Sequence, residues 1–246
     1  MGKQQFRPLA AELGRFHPGC DAADMIRRGV VRVDGRIVTN PRSLVRGDAA
    51  IVVSETPELR GEVKLRFALE TFGIDVEGRI ALDVGAAAGG FTTALLRARA
   101  ARVYAVDAGF GQLRGSLRRD RRVVNLERMN LGELTTAHVP DVVDVVTFDL
   151  SYLAVARAVG ELQRIRLAPD AELIALVKPM FELRLARPPS DAVRLRRAVS
   201  RAAAGVTARG WSVVGDVRSP VAGARGAVEF FVHCVRKSRH EVGTRL

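Results

Sequence analysis

From about residue 60 onward, short apolar runs alternate with longer stretches of helical spacing, and that alternation leaves few folds open. The apolar runs are Ile80–Val84, Arg102–Val106, Val123–Leu126, Val142–Phe148 and Glu172–Val177, followed later by Trp211–Val217 and Val228–Val235. Gly61–Phe72, Phe91–Arg99 and Ser190–Arg209 carry helical spacing. Strands separated by helices pair in parallel, because each crossover returns the chain to the same end of the sheet. The expected class is α/β, with a doubly wound, mainly parallel sheet that binds ligands at the carboxyl ends of its strands.

Residues 1–53 follow a different pattern. Two short helices, Leu9–Leu13 and Ala22–Arg28, precede a hairpin in which Asp34 and Gly35 separate two β-branched runs, and Ala49–Val53 reads as a further strand. This segment is expected to be a small α+β domain. A polar, proline-interrupted linker at 54–60, a main domain at 61–236 and a basic tail at 237–246 complete the expected organisation.

Four strand ends carry the chemistry. Ile80–Val84 leads through Asp83 into Gly85, Ala86, Ala87, Ala88, Gly89, Gly90, Phe91 and Thr92. Gly85 permits a tight turn, and Gly89 with Gly90 allows the following helix to start close to a ligand. The spacing matches neither the dinucleotide fingerprint nor a phosphate loop. An acid ahead of the glycines repels a pyrophosphate and suits a ligand with a cationic amino-acid end, which favours S-adenosylmethionine over NAD or ATP. Asp107 ends the next strand, about 20 positions on, where an acid can bond ribose hydroxyls. Asp149 and Lys178 end the next two strands and would face the same crevice.

The formal net charge of +12 points to a polyanionic partner. Basic residues spread over many segments argue against a membrane surface. No apolar run approaches the roughly 18 residues of a membrane span, and the first residues hold no continuous apolar signal core, so a cytoplasmic location is expected. Cys20 and Cys234 lack metal-ligand spacing, no metal cluster is evident, and a disulfide between the two is left open. Only four of the 39 basic residues are lysine, and of these Lys64 and Lys178 lie inside the expected fold.

Arg60–Leu65, Asp83–Thr92, Val106–Leu113, Glu127–Asn130, Asp149–Tyr152, Val177–Glu182 and Gly226–Phe230, in this order, resemble the TlyA family of rRNA 2'-O-methyltransferases and, more broadly, the FtsJ-like RNA methyltransferases. The resemblance runs from about residue 5 to 236. It implies a Rossmann-like methyltransferase sheet behind an RNA-binding module of the kind named after ribosomal small-subunit protein four. It also implies a catalytic tetrad of Lys64, Asp149, Lys178 and Glu229. S-adenosylmethionine would be held by Asp83, Gly85, Gly89, Gly90, Phe91, Asp107 and Asn130, with Asn130 near the adenine. The partner would be RNA, ribosomal above all. Lys178 would be the general base, its pKa brought toward neutrality by partial burial and a nearby cation. Asp149 would orient it, and Glu229 would anchor Lys64.

The chain departs from the family at several points. Ala87 and Ala88 replace a Ser-Thr pair, Met180 replaces an amide, residues 183–190 replace a glycine-rich loop, and His17–Asp21 replaces an Arg-bearing helix start. Two other readings stay open at this point: a non-catalytic RNA-binding or ribosome-assembly factor on the same fold, and a small-molecule O-methyltransferase. Nothing in the sequence fixes an oligomeric state.

Overall fold

A computed structural model of the chain describes residues 6–27, 30–53 and 59–236, with Ile37 as backbone only. The expected tail at 237–246 and most of the expected linker lie outside the described residues. The chain divides after Glu58 into two compact units.

The first unit contains β1 (Phe6–Pro8), α1 (Leu9–Phe16), α2 (Ala22–Arg27), β2 (Val31–Val33), β3 (Arg36–Ile37), β4 (Leu44–Arg46) and β5 (Ile51–Val53). Asp34 and Gly35 take φ values of 48° and 78°, the left-handed pair that a two-residue hairpin turn demands, and they join β2 to β3. β5 pairs on the other side of β2. β1 and β4 form a separate antiparallel pair that the sequence reading does not include. Leu9, Leu13, Ile26, Val31 and Val45 form the core of this unit.

The second unit comprises α3 (Arg60–Phe72), β6 (Ile80–Val84), α4 (Gly90–Arg97), β7 (Arg102–Asp107), α5 (Gly115–Arg118), β8 (Val123–Glu127), β9 (Val143–Phe148), α6 (Val155–Glu161), β10 (Leu167–Val177), α7 (Pro179–Glu182), α8 (Ala192–Thr207), β11 (Trp211–Arg218) and β12 (Phe230–Arg236). The strands form one seven-stranded sheet in the order β11-β12-β10-β9-β6-β7-β8. β12 is antiparallel to both its neighbours, and the other pairings are parallel. The expected doubly wound class is therefore borne out. The chain runs outward from β6 through β7 to β8, then returns across β6 to β9. Strand order reverses between β6 and β9, which opens a crevice at their carboxyl ends.

Side chains alternate across this sheet as the pleat requires. Leu82, Val84, Val146 and Phe148 face the layer that includes α6 and α8. Ala81, Val145, Ile174 and Phe231 face the layer that includes α3 and α4. Three short helices, α5, α6 and α7, are absent from the sequence reading. β10 also begins five residues earlier than expected, running past Pro169. Its register against β9 shifts between Leu167 and Glu172, and proline is tolerated at such an irregularity because no ladder bond is needed there. Cys20 is exposed, Cys234 is buried, and both are free thiols.

The starts of α3 and α4 cross backbone against backbone. A Cβ on Gly90 would stand 2.9 Å from Gly61 Cα and 3.0 Å from the Glu62 nitrogen. Neither helix start can retreat without shifting the residues it positions. Gly90→Ala should therefore destabilise the protein by ~1–3 kcal/mol. Urea unfolding at neutral pH measures this, and an unchanged midpoint would show that the crossing is slack.

Candidate active site

The site grows from the turn after β6. Gly85 has φ 89°, and a Cβ there would lie 2.6 Å from the Asp149 carbonyl oxygen, so only glycine lets this turn pass beside the end of β9. Ala87 also adopts a left-handed φ, 46°, despite its methyl group. Its N–H donates to Asp107 Oδ2 at 2.8 Å, while Asp107 Oδ1 accepts from Gly109 N–H at 2.7 Å. The carboxylate that ends β7 thus holds the turn in shape, and each oxygen keeps a further lone pair.

Asp83 turns away from this crevice. It faces the α4 side of the sheet opposite Thr147, its register partner on β9, and is fully buried. Thr92 and Thr147 hydroxyls donate to its two oxygens at 2.7 and 3.0 Å. Burial pushes its pKa up to about 6, with the two threonine hydrogen bonds opposing that rise. Asp83 thereby ties the turn's first strand to the start of α4. Its carboxylate is not among the groups lining the clefts.

Two ion pairs stand at the neighbouring strand ends. Lys64 Nζ, from α3, lies 2.6 Å from Glu229 Oε2, and both side chains are buried. Lys178 Nζ lies 2.7 Å from Asp149 Oδ1 and donates to Ser151 Oγ at 2.9 Å. β10 and β12 pair antiparallel up to Val177 and Phe230, so the next residues, Lys178 and Glu229, leave the sheet side by side. A lysine nitrogen has three positions besides its carbon. Asp149 and Ser151 occupy two at Lys178, leaving one for a substrate.

Glu182 braces this arrangement. It lies one helical turn beyond Lys178, and its Oε1 accepts from the Val155 N–H at 2.5 Å, at the start of α6. The turn that carries Lys178 is thus tied to the loop that carries Asp149 and Ser151. Burial raises the Glu182 carboxyl above its ordinary range, and its Oε2 has no hydrogen-bond partner.

Three clefts adjoin here. One of about 290 Å³ includes Gly85, Asp107, Met129, Leu131, Asp149 and Tyr152 in its lining. A second, about 270 Å³, shares Gly85 and Asp149 and is also lined by Gly90 and Phe91. A third, about 220 Å³, shares Ser151 with the first and contains Lys178 and Glu229. Gly89 instead packs beneath the turn, against Leu113 and Leu117. Asn130 caps a short helical turn in a reciprocal box with Glu133, while its neighbours Met129 and Leu131 line the first cleft. Ser151, Met129 and Leu131 are not among the residues assigned from sequence. Their positions inside quoted or adjacent motif blocks were the available signal.

The sequence pattern of the FtsJ-like methyltransferase family matches residues 58–236. The chain is also 40% identical over 220 residues to the 16S/23S rRNA (cytidine-2'-O)-methyltransferase TlyA of Mycobacterium tuberculosis (strain ATCC 25618 / H37Rv), covering 86% of this chain and 82% of that protein. The chain belongs to the FtsJ-like methyltransferase family. Among solved structures, a hemolysin candidate from Lactococcus lactis is similar at TM-score 0.68 and 32% identity, over 72% of this chain and 87% of that one. An S-adenosylmethionine dependent methyltransferase from Mesorhizobium loti shares the fold at TM-score 0.52 and 18% identity, over 69% and 96% of the two chains. No helix among the described residues is long and apolar enough to cross a membrane.

The buried carboxyl of this FtsJ-like methyltransferase sets a pH dependence. Asp83 binds its proton more tightly folded (pKa about 6) than unfolded (3.8), so its contribution to stability is full below the unfolded value and is lost as pH rises through about 6. Between pH 4.5 and pH 8 that loss should be ~2 kcal/mol. Asp83→Asn should remove it, which denaturant unfolding at the two pH values reads directly. An equal loss in the variant would assign the pH dependence to other groups.

Proposed function

We propose that this chain transfers a methyl group from S-adenosylmethionine to a ribose 2'-hydroxyl of RNA, with ribosomal RNA as the substrate. The observation that carries this reading is the Lys178–Asp149–Ser151 contact set beside the Lys64–Glu229 pair, at the edge of a cleft behind a glycine turn. The name of the M. tuberculosis relative, an rRNA (cytidine-2'-O)-methyltransferase, supports the same substrate. So does the net charge of +12, since arginine-rich surfaces bind phosphates. We take residues 1–53 as the RNA-binding domain, 54–60 as linker and 61–236 as the catalytic domain, acting in the cytoplasm.

The first cleft fits the cofactor. Gly85 leaves room at the turn, Asp107 offers its remaining lone pairs to ribose hydroxyls, and Met129, Leu131 and Leu150 provide apolar walls for a purine. S-adenosylmethionine supplies an activated methyl group on a sulfonium. Asp149 and Ser151 aim the Lys178 nitrogen, and Lys178 accepts the proton that the ribose hydroxyl sheds as its oxygen attacks. Glu229 keeps Lys64 extended toward the same edge. Positioning of this kind contributes much of the rate in an in-line transfer between two bound groups.

Lys178→Ala should abolish methyl transfer to RNA, a loss of at least about 100-fold, while cofactor binding measured by calorimetry stays within a factor of a few. Lys178→Arg should be equally inactive, because a guanidinium does not give up its proton. Transfer of labelled methyl to purified rRNA checks both variants, and an active Arg variant would remove Lys178 from the role of base.

A further inference from the structure

The slot beside Lys178 is walled by Met180, Phe181, Pro188, Ala227 and Val228. Its polar side chains are Ser151, Lys178 and Glu229, and each is already engaged: Ser151 and Asp149 with Lys178, and Glu229 with Lys64. The wall backbone donors at Phe181 and Ala227 bond within their own turns, to Lys178 and Ala224 carbonyls. The result is a space of about 220 Å³ with mostly apolar sides, opening onto the amine that faces the substrate.

We propose that this slot holds the nucleobase of the nucleotide being methylated, and that it accepts the base by its flat shape and not by its hydrogen-bonding edge. The proposal rests on the reading of Lys178 as acting on a ribose hydroxyl. The base is attached to the sugar carbon next to the one bearing that hydroxyl. With the hydroxyl at Lys178 Nζ, the base lies about one sugar's width away, and the slot is continuous with that point through Lys178 and Ser151. A base taken out of its stack loses apolar contact on both faces, and a slot of this composition restores it. Met180 stands where the related family carries an amide. A thioether offers polarizable surface without a strong donor or acceptor, so this chain lacks a side chain able to read the base edge there.

Such a slot has a quantitative consequence. Apolar pockets discriminate between similar groups by roughly 10–200-fold, whereas sites built to hydrogen-bond a group reject analogues lacking it by about 10⁴-fold or more. Sequence selection by this enzyme then comes from the RNA surrounding the target and not from the target base itself.

The test uses the full chain and rRNA fragments carrying each of the four bases at the nucleotide it methylates, with kcat/KM measured for each. A spread within about 200-fold is expected. A spread above about 10³-fold in favour of one base overturns the proposal, and methylation of none of the fragments overturns the functional reading beneath it. Met180→Gln supplies the missing amide and should widen the spread at least about 10-fold, with cofactor affinity and thermal midpoint unchanged. An unchanged spread in a folded, cofactor-binding Met180→Gln protein also counts against the slot as the base site.

Discussion

An ammonium and a carboxylate 165 residues apart in the chain meet at 2.6 Å, both shielded from water. Desolvating either charge alone is expensive, and removing one partner of such a pair typically costs ~3–5 kcal/mol. The Lys64–Glu229 contact therefore forces the helix ahead of the sheet and the strand that completes it into one arrangement. Lys178 sits beside Glu229 because the antiparallel register of β10 and β12 places them there. Asp149 meets Lys178 because β9 is the parallel neighbour of β10. The geometry of the catalytic edge follows from sheet order and one buried pair.

The glycines serve this arrangement from beneath. Gly61 and Gly90 let two helix starts touch, so that α3 delivers Lys64 while α4 begins directly behind the turn at Gly85. Asp83, braced by Thr92 and Thr147, fastens that turn to the sheet. A carboxyl kept in an environment that resists its ionisation is a stability cost, here accepted where a loop must stay fixed next to a reacting centre.

Much of this was legible in the residues. β-branched runs marked the strands of the large sheet, and the strand ends named Asp107, Asp149 and Lys178 correctly as neighbours of one crevice. Asp83 was harder. A strand-end acid can face either side of the sheet, and only the pleat shared with Ala81 and Val145 turns it toward α4. Asn130 illustrates the same limit at finer scale. Local sequence places a turn near the ligand without saying which of three adjacent side chains points inward, and the capping box with Glu133 directs Asn130 away from the lining. The short helices α5, α6 and α7 escaped because four to seven residues carry too little periodicity, and α6 mixes valines with Gly160. β10 was read short because Pro169 looks like a strand boundary until the register shift is seen.

β12 follows every other strand of the sheet in the chain, yet it lies inside the sheet, between β10 and β11. During synthesis the earlier strands emerge first and can assemble without it. Until β12 inserts, β10 and β11 expose open edges, and Lys64 has no counter-charge. A nascent chain therefore carries a formed cofactor crevice but an incomplete set of reacting groups. The order in which the ribosome releases the strands keeps the enzyme inert until its own translation has passed Glu229.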